Sequence, residues 1–261
     1  MSHPPAQADP TPDHRPARAV LALVVVALAL AAVLAVLGFG VVGRHGGGVA
    51  QGWDGMVGRW FLHERAGLVG ISRAIANVGD APVLGIITLV IVLVMWGLGQ
   101  RTRALIPLTA FLGAEFLVYL TRTYVHRPRP TTADYPSAGA LSGIHETSFS
   151  FPSGHATAGA AVLFSLAGLA AITWRTWWPW AVVTAVGLAV AVSRLVLGVH
   201  WFSDVTLGLL VGATWGVAVV YLLADVPWPG GFAGRDRSVR RERSGAGPDR
   251  RSHHSGCSAV R

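Results

Sequence analysis

The chain has 261 residues, of which 52% are hydrophobic and only 13% charged. A soluble domain carries about 25% charged residues, so this composition excludes an ordinary soluble protein and points to the membrane. All 21 basic residues are arginine, against 13 acids, for a formal charge of +8.

Residues 1–18 are rich in Pro, Ala, Asp and His and read as a disordered N-terminal tail. Residues 20–42 are a continuous apolar run, long enough for a bilayer core of ~30 Å. Arg15 and Arg18 precede it, as in a signal peptide, but the run exceeds a signal core of about 7–15 residues, so an uncleaved first span is expected. Two stretches follow, Trp53 to Leu62 and Leu68 to Ala76, that mix apolar and polar positions. They suit short amphipathic helices in the membrane interface, or a structured loop.

Further apolar runs cover residues 82–98, 104–120, 154–173, 177–197 and 203–224. The expected fold is therefore all-α, a six-transmembrane helical bundle over residues 19–224. Trp174, Trp177, Trp178, Trp180, Trp201 and Tyr221 fall near span ends, as interfacial aromatics do. No internal repeat is visible, which argues against a transporter built from two similar halves.

Residues 225–261 carry eight arginines against four acids. The string Arg235, Arg237, Arg240, Arg241, Arg243 has the look of a nucleic-acid patch. A disordered basic tail beside an anionic cytoplasmic leaflet accounts for it better, and no nucleic-acid partner is expected. The single cysteine, Cys257, rules out an intrachain disulfide. Arg101 and Arg103 in one short connection and Arg175 in another put those loops, and both termini, on the cytoplasmic side. Segments 43–80 and 121–153 then face outward.

Three span edges on that outer face carry polar clusters. The first is Arg122-Thr-Tyr-Val-His-Arg127-Pro-Arg129-Pro130, read as arginines following a helix end. Guanidinium forks suit phosphate oxygens, although such clusters also serve as membrane-flanking anchors. The second is Pro152-Ser153-Gly154-His155, with Ser153 as a helix N-cap and backbone N–H groups directed outward, an anion-binding arrangement. The third runs from Ser193-Arg194 to His200 and Asp204. If the chain is helical from His200, that histidine and Asp204 share a face at i,i+4. The carboxylate would then fix the imidazole tautomer and leave the other ring nitrogen free to attack. The pair could instead be half a metal site, with His126, His145 and His155 as further ligands. Ionisable groups at membrane depth are costly and mark function, and the three clusters together fit phosphoryl transfer.

At these residues the chain resembles the type 2 phosphatidic acid phosphatase family, which includes bacterial lipid-phosphate and polyprenyl-diphosphate phosphatases and is related to the soluble vanadium haloperoxidases. The family motifs are Lys-x6-Arg-Pro, Pro-Ser-Gly-His and Ser-Arg-x5-His-x3-Asp. Pro152 to His155 matches the second; Ser193-Arg194 with His200 and Asp204 matches the third. Arg129-Pro130 matches the first, with Arg122 at the lysine position.

The resemblance implies an integral-membrane, metal-independent hydrolase with no cofactor, acting on a membrane lipid phosphate or diphosphate. His200 would be the nucleophile, forming a phosphohistidine. Asp204 would orient it, and His155 would protonate the leaving oxygen and then activate water. Arg122, Arg129 and Arg194, with Ser153 and the Gly154 amide, would hold phosphate. A transporter or lipid-phosphate-binding protein using the same basic pocket without chemistry is the competing expectation.

Overall fold

The computed structural model describes residues 15–43, 48–64, 67–131, 134 and 146–224. The expected tail at 225–261, most of the expected tail at 1–18, and His145 lie outside the described residues. Helix α1 spans Arg15–Leu37 and ends in a π-helical turn, Gly38–Val42. It takes up Arg15 to Arg18, so the helix starts earlier than the apolar run did. Arginine is a good helix former and continues the first turn without cost.

Helices α2 (Gln51–Glu64) and α3 (Val69–Gly79) match the two amphipathic stretches. Then come α4 (Ala81–Gly97), α5 (Arg101–Val125), α6 (Gly154–Trp174), α7 (Trp178–Val196) and α8 (Phe202–Leu223). Among the described residues, five helices are long and apolar enough to cross a membrane: α1 with its π turn, α5, α6, α7 and α8.

The sixth span differs from the expectation. Helix α4 has 17 residues, about 25 Å at ~1.5 Å per residue, short of a ~30 Å core. Together with α3, from which it bends by 56°, it is long enough to form a broken span. The break falls at Asp80, whose extended backbone cannot continue α3, and Pro82 then opens α4. Helix α3 packs chiefly against α7, so it belongs to the bundle and is not an isolated interfacial helix.

Helix α6 is central and packs chiefly against α8, with α5 and α7 also on it. Its Ala- and Gly-rich sequence suits that position. On α8, Gly208, Gly212 and Gly216 form a stripe at four-residue spacing facing α6. A Cβ at Gly212 would lie 2.1 Å from the Thr157 carbonyl oxygen, and one at Gly216 2.4 Å from that of Ala161. Small residues at this spacing let membrane helices approach to backbone contact. Trp215, between them in sequence, is buried and donates its indole N–H to the Ala110 carbonyl of α5 at 3.1 Å.

Leu21, Leu28, Val36, Ile86, Leu93, Leu188 and Tyr221 are exposed on the outer faces of α1, α4, α7 and α8. So extended an apolar surface has no place in water. The molecule is a multi-pass helical membrane bundle.

Candidate active site

The C-terminal ends of α5 and α7 and the starts of α6 and α8 bring the three polar clusters together. Two expectations about local structure change on the way. Helix α5 runs through Arg122 to Val125 and stops at His126, which is left-handed at φ 52°. Arg122 therefore lies inside the last helical turn, and only Arg127 and Arg129 follow the helix end. His200 is also not helical. It precedes α8, whose N-cap is Trp201, and Asp204 is the third helical residue. The carboxylate accepts the Trp201 N–H at 3.0 Å through Oδ2, so Asp204 doubles as a cap of its own helix.

His200 is buried. Its Nε2 lies 3.0 Å from Arg129 Nη1, which also donates to the Val199 carbonyl at 2.8 Å. Its Nδ1 is 3.5 Å from Asp204 Oδ2 and 3.4 Å from Ser150 Oγ. The direct distance to the carboxylate exceeds a good hydrogen bond. Ser150 closes the gap, because its hydroxyl also donates to Asp204 Oδ2. Burial first, then the charges of Arg129, Arg194, Arg122 and His155, hold the His200 imidazolium well below its ordinary pKa. Both effects favour the neutral ring over the imidazolium.

His155 sits one residue into α6. Its Nε2 lies 3.3 Å from Arg194 Nη1 and 3.9 Å from Asp80 Oδ1, at the bend between α3 and α4. Each histidine thus has an arginine against its Nε2, and one carboxylate joins the two arginines. Glu146 accepts from Arg194 Nη2 at 2.6 Å and from Arg129 Nη2 at 3.3 Å. Burial raises the Glu146 pKa, but the charges of Arg129 and Arg194 outweigh it and hold the group below its usual range. Arg129 is lowered to about 10, chiefly by burial, and stays charged.

Arg122 donates to Ser148 Oγ and to the Pro152 carbonyl, both at 3.3 Å. A Cβ at Gly154 would lie 3.4 Å from Arg122 Nη2, so this guanidinium lies over the start of α6. Ser153 takes the N-cap position, but its hydroxyl caps nothing. Ser153 Oγ is buried and has no hydrogen-bond partner. Leaving such a group unsatisfied costs about 1–3 kcal/mol, so it marks a place where a ligand oxygen would be welcome.

All eight proposed site residues thus gather at this edge: His200, His155, Asp204, Arg122, Arg129, Arg194, Ser153 and Gly154. Among the described residues, no three His, Cys, Asp or Glu side chains are grouped so that they could hold a metal ion.

Sequence reasoning missed Glu146, Ser148, Ser150, Asp54 and Ser203. Glu146 carried a usable signal, as the only carboxylate between Asp134 and Asp204. Arg127, from the first cluster, donates to Asp204 Oδ1 at 2.5 Å and to Asp54 Oδ2 at 2.6 Å.

The PAP2 superfamily model matches residues 103–228, which take in all three motifs. An Escherichia coli (strain K12) protein provisionally named an undecaprenyl-diphosphatase is 32% identical over 125 residues, 48% of this chain. The chain spans only 59% of that relative's length. The decaprenylphosphoryl-5-phosphoribose phosphatase of Mycobacterium tuberculosis (strain CDC 1551 / Oshkosh) is 31% identical over 158 residues, 60% of this chain and 82% of its own length. Among solved structures, a transmembrane PAP2 type phosphatidylglycerolphosphate phosphatase from Bacillus subtilis has the same fold. The TM-score is 0.57 at 22% identity, over 81% of this chain and 94% of that one. With the PAP2 model over all three motifs and a relative 31% identical across 82% of its own length, the chain belongs to the PAP2 superfamily.

Proposed function

We propose that the chain is an integral-membrane phosphatase that releases phosphate from a lipid phosphate or diphosphate, of polyprenyl-diphosphate or phosphatidate type. The observation that carries this reading is the paired contact of Arg129 with His200 Nε2 and Arg194 with His155 Nε2, bridged by the Glu146 carboxylate. A carboxylate held between two guanidinium groups occupies the kind of position a phosphate would take.

In this reading, His200 Nε2 attacks phosphorus. A P–N bond forms, the P–O bond to the lipid breaks, and His155 gives its proton to the leaving oxygen. In the second step His155 takes a proton from water, whose oxygen displaces His200 and releases inorganic phosphate. Arg122, Arg129 and Arg194, with Ser153 Oγ and the Gly154 N–H, stabilise the charge that develops on the phosphoryl oxygens. Asp204 balances the positive charge on His200.

The site faces outward and both termini are cytoplasmic. Arg101, Arg103 and Arg175 on the opposite bundle end support that orientation.

The test is phosphate release by the purified protein from a panel of diacyl phosphates, polyprenyl phosphates and diphosphates, and soluble sugar phosphates. Lipid-linked substrates are expected to be preferred. Hydrolysis of soluble phosphates alone would overturn the lipid reading, and no release from any substrate would favour the binding-protein alternative.

Glu146 makes a second expectation. Being ionised at neutral pH, it competes with incoming phosphate for Arg129 and Arg194. Glu146→Gln is expected to lower the inorganic phosphate concentration that half-inhibits turnover by about tenfold, equivalent to ~1.4 kcal/mol. Unchanged phosphate inhibition would remove Glu146 from this role.

A further inference from the structure

Helix α2 turns Trp53, Met56 and Trp60 outward, but it buries one carboxylate, Asp54. Asp54 lies outside the stretch that matches the family model. Its Oδ2 accepts from Arg127 Nη2 at 2.6 Å and from Ser203 Oγ at 2.8 Å, and its Oδ1 accepts the Ser203 N–H at 2.7 Å. Arg127 Nη1 in turn donates to Ser203 Oγ at 2.8 Å and to Asp204 Oδ1 at 2.5 Å. The Trp201 ring covers the guanidinium, 5.1 Å from its carbon. Arg127, Asp54 and Asp204 are each no more than 1% exposed.

A single buried guanidinium is therefore divided between two carboxylates, one on α2 and one in the catalytic group. The division has two consequences. Arg127 spends one arm on Asp54, so it cannot turn its whole fork to Asp204, the arrangement that arginine and carboxylate favour. Asp204 Oδ2 is left for Ser150, the Trp201 N–H and His200. The trio also keeps a net negative charge beside His200, which otherwise faces Arg129, Arg194, Arg122 and His155. That charge supports the positive imidazole formed as Nε2 attacks phosphorus.

We propose that Asp54 is a positioning residue for phosphoryl transfer, acting through Arg127 and Ser203 on Asp204 and so on His200. This rests on the phosphatase reading above. Asp54 is bonded to Arg127 and Ser203, and its effect should fall on turnover and not on binding.

The experiment measures kcat and KM of the full-length protein for Asp54→Asn, Asp204→Asn and the double variant, on the best substrate of the panel. Asp54→Asn is expected to lower kcat about 30-fold with KM within twofold. In the Asp204→Asn background the same change is expected to cost less than threefold, because the group it acts on is gone. A purely structural Asp54 would give multiplicative losses in the double variant, and that result overturns the proposal. So does an Asp54→Asn kcat within twofold of wild type. Should Asp54→Asn fail to fold, Ser203→Ala decides. It removes the bridging hydroxyl but keeps both charges, and is expected to lower kcat about threefold at unchanged KM; an unchanged kcat overturns the proposal. A wild type that releases no phosphate defeats the phosphatase reading itself, and is thereby distinguished from failure of Asp54 alone.

Discussion

His200→Ala is expected to reduce phosphate release by at least about 10³-fold, with substrate binding largely retained. Loss of a nucleophile removes the covalent route and leaves only the residual catalysis of the charged site. The geometry makes His200 the group to remove. Its Nε2 is the ring nitrogen against Arg129, and its Nδ1 is turned to Ser150 and Asp204. During turnover by the wild type, an acid-labile phosphoenzyme should be trapped by rapid quench with labelled substrate. None should form in the variant.

The depressed pKa of His200 adds a signed expectation. A histidine held below its ordinary value stays neutral to lower pH. The acid limb of kcat/KM that reports its protonation should therefore lie below the ordinary histidine value of about 6.5. A variant keeping a tenth of wild-type activity, or labelling in His200→Ala, would move the nucleophile elsewhere.

Gly212→Val is expected to be the most damaging single change to the bundle. A Cβ there would lie 2.1 Å from the Thr157 carbonyl oxygen, 2.9 Å from its carbon and 3.0 Å from the Ala160 Cβ. Backbone cannot yield as a flexible side-chain tip can, so α6 and α8 must separate. The cost should be about 3 kcal/mol or more, at or beyond the upper range for overpacking. Thr157 is in the first turn of α6, two residues after His155, while α8 begins two residues after His200. Separation would therefore misalign the two histidines as well as weaken the fold.

Detergent melting temperature and kcat should fall together in Gly212→Val and fall less in Gly212→Ala. Gly159→Ala is the control, since a Cβ there meets nothing within 4 Å. Equal tolerance at Gly212 and Gly159 would refute close α6–α8 contact as the basis of the site's geometry.

Much of the molecule is legible in the chain because lipid imposes a simple rule. Long apolar runs become helices, and their polar ends lie at the surface. That rule finds α1, α5, α6, α7 and α8 and assigns the three polar clusters to one face. It finds α4 only in part, because the bend at Asp80 joins α3 to that span. A turn of 56° at an extended residue is a tertiary outcome, set by α3 packing on α7. The same limit misplaced Arg122 outside α5 and put His200 inside α8. Hydropathy locates a span to within a few residues, and those few residues hold the chemistry.

The sequence by itself determined the helical membrane bundle, the arginine and histidine types at three span edges, and their resemblance to a phosphatase family. These depend on side-chain chemistry and on local periodicity. Only the tertiary structure decided which groups touch. It put Glu146 between Arg129 and Arg194, Ser150 between His200 and Asp204, and Arg127 between Asp204 and Asp54. The physical reason is that buried charges need partners within hydrogen-bond reach, and in this bundle those partners come from distant loops and from α2, brought within reach by the close approach of α6 and α8.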